Sequence, residues 1–189
     1  MLLSSLTNPD EAALRFGFIP ARLTVGFEYP GVVPAFLTPL TATITHGGLL
    51  HLLVNMIMLM WCGTWVEHGL GRGALLILYA LGAYAAALGQ WAFDPKSIVP
   101  MIGASGAISA VVGAFALSYG QPKKLVASPR FNRFLNAIWL LVVWVVLQLL
   151  TGYAAGMQGV LLATPAHVGG FIAGLALQRP LLLWRYRRA

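Results

Sequence analysis

The sequence predicts an all-α fold, a polytopic transmembrane helix bundle with five spans, and three observations point there. The chain of 189 residues is 59% apolar and only 9% charged, where soluble chains carry roughly a quarter charged residues. Its mean hydropathy of +0.79 is too high for a single water-soluble core of this size, so lipid must cover most of the surface. Long stretches free of Asp, Glu, Lys and Arg recur along the chain, each measured against the roughly 20 residues of one crossing.

Residues 1–45 read as an outer interfacial or partly re-entrant segment. Asp10, Glu11, Arg15, Arg22 and Glu28 interrupt its first half, and Pro30, Pro34 and Pro39 its second. Met1-Leu2-Leu3 opens without a basic stretch or a long apolar run. A cleavable signal peptide is therefore not expected, and the first span is expected to serve as the insertion signal. That span runs from Gly47 to Val66 and the second from Ala74 to Phe93. Pro100 and Gly103 break the start of the third, which is expected from Ala104 to Tyr119. The uncharged run from Phe134 to Gln178 is too long for one crossing. The Gly- and Pro-rich segment Gly152 to Pro165 divides it into Leu135–Thr151 and Ala166 to about Trp184. Arg179 and Pro180 suggest that the last helix bends or leaves the lipid there. Residues 46–184 thus form the transmembrane domain and 185–189 a basic tail.

The formal charge of +7 does not indicate nucleic acid, because the few cations lie between apolar runs and record orientation instead. Lys123, Lys124, Arg130 and Arg133 follow the third span, and Arg185, Arg187 and Arg188 follow the last. The intervening loops of the other side carry only Lys96, beside Asp94. The basic side is read as cytoplasmic, with the C-terminus inside and residues 1–45 outside. The membrane is expected to be the cell (plasma or inner) membrane. Cys62 is the one cysteine, so no internal disulfide forms. Nothing in the sequence sets an oligomeric state.

Polar side chains are costly in a membrane and mark function by default. Here they gather in one layer. His46, His51 and Asn55 stand at the outer start of the first span, Ser105 opens the third and His167 opens the fifth. All three spans run in the same direction, so these residues share a depth. His51 and Asn55, four apart, share a helix face. Gly103, Gly106, Ala110 and Gly113 form a small-residue stripe beside Ser105, and His167, Gly170 and Gly174 repeat the spacing in the last span. Two such faces allow close helix approach, and packing them together would bring Ser105 towards His167. The third span from Ser105 to Tyr119 is about 22 Å of helix against a hydrocarbon core near 30 Å, which places Ser105 below the outer surface, at a point where hydrolysis needs a water-filled depression.

Taken singly, these residues have bland readings. Ser105 could be a packing residue, His167 an interfacial one and His68 a solvated loop residue. Trp61, Trp65, Trp139 and Trp144 could simply face lipid or pack. His46 and His51 are five apart with no carboxylate near, which does not fit a zinc protease. No metal or other cofactor is expected. It is the shared depth of Ser105, His167 and Asn55 that favours a site.

Gly103-Ala104-Ser105-Gly106, the preceding His46, His51 and Asn55, and Ala166-His167-Val168-Gly169-Gly170 with Gly174 together resemble the signature of the rhomboid intramembrane serine proteases. Val66-Glu67 with Gly69 to Gly71, and Trp144 with Gln148, match as supporting features, and the resemblance covers roughly residues 36–178. It implies Ser105 as nucleophile and His167 as general base. It also implies His51, Asn55 and the Ser105 amide as stabilisers of the oxyanion, with His46, Gly103, Gly106, Gly170 and Gly174 structural near the site. The chemistry is coherent, since a serine hydroxyl needs a neighbouring base and an oxyanion needs aimed donors. With Asp10, Glu11, Glu28, Glu67 and Asp94 as the only acids, a Ser–His dyad without a carboxylate is expected. The implied activity is an endopeptidase that cleaves transmembrane substrates near the outer membrane boundary, after lateral entry and local unwinding. A rhomboid-like pseudoprotease that binds membrane segments without cleaving them is the competing class. A transporter or channel fits poorly, because no acid lies mid-span. Two departures from the family pattern stand out. No crossing precedes His46, which suggests a truncated chain or a five-span variant, and Ser109 stands where some members carry a tyrosine beside the histidine.

Overall fold

The computed structural model describes residues 8–26, 30–120, 128–156 and 163–187. Five long helices dominate it: α1 (Leu49–Leu70), α2 (Arg72–Phe93), α3 (Ser105–Tyr119), α4 (Pro129–Gly156) and α5 (Thr164–Arg185). Four of them, α1, α2, α4 and α5, are long and apolar enough to cross a membrane; α3, with 15 residues, is shorter. These are the five segments expected from the sequence. Lys123, Lys124, Glu28 and Arg188 lie outside the described residues, as do residues 157–162 of the segment between the last two helices.

α3 occupies the middle of the bundle. It packs most extensively on α5, then on α2 and α1, and touches α4. Lipid tails are as apolar as the helix faces, so burial of apolar surface does not hold such helices together; close van der Waals fit does. The residues at the centre are accordingly small. Gly106, Ala107, Ala110, Gly113 and Ala114 of α3 are all buried, and Ala110 and Ala114 join Cys62, Val66, Leu70, Ala74, Leu78, Val111 and Leu181 in the core. A side chain added at Gly113 would stand 2.5 Å from the Phe171 carbonyl oxygen, and one at Gly89 of α2 would stand 2.6 Å from that of Pro165. These helices meet backbone to backbone. α4 is different: it packs on α5 and α3 alone among the long helices in any extent, and most of its apolar side chains are exposed.

Polar ties fix the register along the bundle. Gln178 Nε2 donates to Ser118 Oγ at 3.0 Å, joining α5 to α3, and the Tyr119 hydroxyl donates to the Trp65 carbonyl at 2.8 Å, joining α3 to α1. Arg185 donates to the His68 carbonyl at 2.6 Å, placing a cation at the C-terminus of α1, where the helix dipole favours it. A single residue, Gly71 at φ +89°, turns α1 into α2. One local expectation is corrected here. His68 belongs to the last turn of α1 rather than to a loop. α5 runs through Arg179 and Pro180 to Arg185, close to the end expected near Trp184; Pro180 removes one backbone donor from a helix otherwise held by its contacts with α2 and α3.

Before α1 the described chain forms only short helical turns, among them Pro9–Phe16, Ala21–Thr24 and Thr38–Thr41. They lie over the ends of α2 and α3. Phe18 pairs with Met101 in an antiparallel bridge, Ala21 N–H donates to the Ser97 carbonyl, and Phe18, Ala42 and Ala87 form a second apolar cluster. Tyr84 and Trp91 of α2 donate to the Phe36 carbonyl and Thr24 Oγ1. The backbone of the loop before α3 is thereby held in place at the end of the bundle where Ser105 lies.

Candidate active site

Ser105 is the first residue of α3, after the non-helical approach through Gly103. Its position follows from two glycine properties. Gly103 adopts φ +107°, a conformation that costs an L-residue roughly 1–2 kcal/mol, and its N–H donates to the Ala42 carbonyl at 2.9 Å. As a first-turn residue of α3, Ser105 keeps a backbone N–H that no intrahelical carbonyl accepts, at the electropositive end of the helix.

α5 brings His167 to it. His167 Nε2 and Ser105 Oγ are 2.8 Å apart. The approach depends on the glycines predicted from spacing: a side chain on Gly170 would stand 2.1 Å from the Gly106 carbonyl oxygen, and one on Gly174 would stand 2.1 Å from that of Ala110. Gly106 in turn faces Ala86 of α2, 2.6 Å from where its own side chain would begin. The imidazole is buried, with 9% of its surface exposed. Its second nitrogen, Nδ1, lies 2.7 Å from Oε1 of Gln148 on α4, which is equally buried. Trp144, one turn earlier on α4, donates Nε1–H to the His167 carbonyl at 3.3 Å and stacks on Phe171 with ring centroids 4.9 Å apart. Of the four tryptophans read as lipid-facing or packing, Trp61, Trp65 and Trp139 are exposed, whereas Trp144 packs against the histidine helix.

His51 stands in the first turn of α1, across from Gly103. Gly47 N–H donates to His51 Nδ1 at 3.4 Å, which leaves the proton of the neutral ring on Nε2. The point that a Gly103 side chain would occupy lies 2.7 Å from His51 Nε2 and 3.8 Å from Ser105 Oγ. A donor and a hydroxyl therefore flank one small space that glycine keeps open. Asn55, one turn on, is buried, and one of its amide hydrogens bonds back to the His51 carbonyl at 2.8 Å. His46 packs edge-on against His51 with centroids 5.1 Å apart, and its Nε2 is buried with no hydrogen-bond partner among the described residues. Burial first, and His51 second, hold the His46 imidazole below its ordinary range, against a backbone hydrogen bond at Ile44 that raises it.

Of the nine site residues expected from the sequence, His46, His51, Asn55, Gly103, Ser105, Gly106, His167 and Gly170 gather towards one end of the bundle, and Gly174 lies midway along α5 against Ala110. Among the described residues, three carboxylates are engaged elsewhere. Glu11 pairs with Arg15 and Glu67 with Arg72, and Asp94 accepts from the Lys96 amide. Ser109 donates to the Ser105 carbonyl at 2.7 Å and does not reach the imidazole. The contact that residue patterns did not bring out is that of Gln148. The sequence pairs Gln148 with Trp144 as a supporting feature of the resemblance, and a polar amide at i+4 from Trp144 in an otherwise apolar helix marks an inward face, but neither points to the imidazole.

A family model described as the Rhomboid domain matches residues 35–184. The chain is 31% identical over 139 residues to RHOMBOID-like protein 5 of Arabidopsis thaliana, covering 73% of this chain and 41% of that protein. It is 32% identical over 136 residues to Rhomboid protease GluP of Bacillus subtilis (strain 168), covering 71% and 24%. To Rhomboid protease GlpG of Pectobacterium atrosepticum it is 30% identical over 135 residues, covering 71% and 44%. The matched stretch is less than half the length of each of these relatives. With a domain match over most of its residues and a helical bundle of membrane-spanning length, the chain belongs to the rhomboid family of integral membrane proteins.

Proposed function

We propose that this protein is an intramembrane serine endopeptidase that hydrolyses transmembrane protein substrates near the outer membrane boundary. The observation that supports it most is the 2.8 Å approach of His167 Nε2 to Ser105 Oγ at the end of a membrane bundle. In this reading the Ser105 proton passes to His167 Nε2 as Oγ attacks the scissile carbonyl carbon, a step that needs a base within hydrogen-bond reach. The carbonyl oxygen becomes an oxyanion and takes hydrogen bonds from the Ser105 backbone N–H and from His51 Nε2–H, with Asn55 beside them. His167 then protonates the leaving amine nitrogen, the C–N bond breaks, and an acyl-enzyme remains on Ser105. Water, deprotonated by His167, attacks that ester, the bond from the acyl carbon to Oγ breaks as His167 returns the proton to Ser105, and the new carboxyl group is released.

Peptide bonds within a membrane helix are shielded by their own hydrogen bonds, so the substrate must unwind locally to reach Ser105. The start of α3 is suited to this. A 15-residue helix spans about 22 Å of a hydrocarbon core near 30 Å, which supports a first residue lying below the membrane surface. We assign this end to the outer face of the cell membrane and the C-terminus to the cytoplasm, from the basic residues at the opposite end.

The test uses a fluorophosphonate serine probe on the purified full chain in detergent. Labelling is expected in the wild type and lost in Ser105→Ala and His167→Ala. A wild type that binds a transmembrane peptide yet shows no labelling and no cleavage would instead fit a pseudoprotease.

A further inference from the structure

We propose that Gln148 is a positioning residue of this site, whose side-chain carbonyl fixes the tautomer and the plane of the His167 ring in the role a carboxylate fills in a Ser-His-Asp triad. The inference rests on the reading of Ser105 as nucleophile and His167 as base.

An amide oxygen accepts hydrogen bonds and donates none. With Gln148 Oε1 2.7 Å from His167 Nδ1, the proton of the neutral imidazole belongs on Nδ1, since the other tautomer would set two lone pairs against each other at that distance. The lone pair of Nε2 is then free, and Nε2 is the atom 2.8 Å from Ser105 Oγ. The hydroxyl donates to the ring, which is the direction of transfer that a general base requires. Both partners are more than nine-tenths buried, so water does not compete for Nδ1.

The surrounding groups leave this task to Gln148. Ser109 is committed to the Ser105 carbonyl, and the three acids whose polar contacts are described are engaged elsewhere, Glu11 and Glu67 with arginines and Asp94 with a backbone amide. Trp144 holds the same turn of α5 from the same face of α4, through its bond to the His167 carbonyl and its stacking on Phe171. Side chain and backbone of the histidine are thus both gripped by residues four apart on one helix. A neutral acceptor also suits the environment, because a buried carboxylate would carry a heavy desolvation cost in the resting enzyme.

The experiment follows labelling of Ser105 by a fluorophosphonate probe in detergent, where Oγ bonds to phosphorus, fluoride leaves and His167 takes the proton. The saturating rate and the half-saturating probe concentration are measured separately for wild type, Gln148→Met and Gln148→Glu, alongside melting temperature. Methionine keeps the shape and removes the acceptor, and suits an apolar helix. Glutamate restores the acceptor. Gln148→Met is expected to lower the saturating rate roughly a hundredfold, with the half-saturating concentration unchanged and Gln148→Glu recovering to within about tenfold of wild type. Wild-type rates in Gln148→Met, while Ser105→Ala and His167→Ala abolish labelling, would overturn the role of Gln148 alone. A loss in Gln148→Met that tracks a lowered melting temperature and is not recovered in Gln148→Glu would overturn it too, as a packing effect. Labelling that persists in Ser105→Ala would remove the reading on which the inference rests.

Discussion

Gly170 of α5 lies so close to Gly106 of α3 that a methyl group on Gly170 would stand 2.1 Å from the Gly106 carbonyl oxygen. The obstacle is backbone, which cannot rotate aside. The contact sits one residue from Ser105 and three from His167, so it sets the separation of Ser105 Oγ and His167 Nε2 as well as the fit of the helices. Gly170→Ala should therefore lower stability by about 1–3 kcal/mol, the usual range for overpacking, and should weaken serine-probe labelling further than the loss of folded protein explains. Gly63→Ala is the matched control. Its added methyl meets only Leu59 side-chain atoms at 3.5 Å, an ordinary contact, and alanine favours the helix. Melting curves in one detergent, with labelling measured on both variants, decide the matter: equal effects would mean the Gly170–Gly106 approach is unimportant.

Much of this geometry is legible in the sequence. Spacings of three and four among small residues can be read along a single helix, and they identified the faces of α3 and α5 that meet. The shared depth of His51, Ser105 and His167 followed from counting spans of one direction. What could not be read is whatever depends on a third helix or on irregular backbone. Gln148 and His167 are 19 residues apart on different helices, and no periodicity links them. The Gly47 amide that sets the His51 tautomer comes from a non-helical turn. The bridge from Phe18 to Met101 joins two loops without any repeating pattern.

Gly103 answers to two constraints at once. Its φ of +107° disfavours any side chain, and a methyl group there would lie 2.7 Å from both His51 Cε1 and Nε2. The strain alone is worth roughly 1–2 kcal/mol, a modest loss. The collision falls on the space between His51 and Ser105, so activity should suffer more. Gly103→Ala is expected to cut probe labelling at least about tenfold, equivalent to 1.4 kcal/mol in the barrier, while the protein still melts cooperatively. Full labelling in a destabilised variant would mean that this space is not where the oxyanion forms.

His46 gives the fold a pH dependence whose sign can be worked out. Its folded-state pKa lies below the ordinary 6.5, chiefly through burial and secondly through His51. The unfolded chain therefore binds a proton more readily than the folded one, and stability falls as pH drops below the unfolded value. The contribution is complete above about pH 6.5 and is lost as pH falls through the folded pKa. Melting temperature should drop between neutral and mildly acidic buffer, and His46→Gln, which cannot take up a proton, should show a smaller drop. An identical pH slope in the variant would assign the effect to other groups.

His51 and Asn55 should separate when each is truncated, because the structure commits them differently. His51 Nδ1 accepts from Gly47, so its Nε2–H faces the space beside Ser105 without a competing bond among the described residues. One Asn55 amide hydrogen is already bonded to the His51 carbonyl within α1, and only the other is free to turn towards substrate. Removing an aimed oxyanion donor costs about 10²–10³ in kcat, with KM little changed because the bond strengthens as charge develops. His51→Ala should reach that range in hydrolysis of a fluorogenic transmembrane peptide. Asn55→Ala should lower kcat by a smaller factor and should also lower melting temperature, since it leaves a buried site without its internal bond. Should Asn55→Ala prove the more damaging to kcat at unchanged stability, the amide, and not the imidazole, would be the principal donor, and the Gly47–His51 bond would lose its part in catalysis.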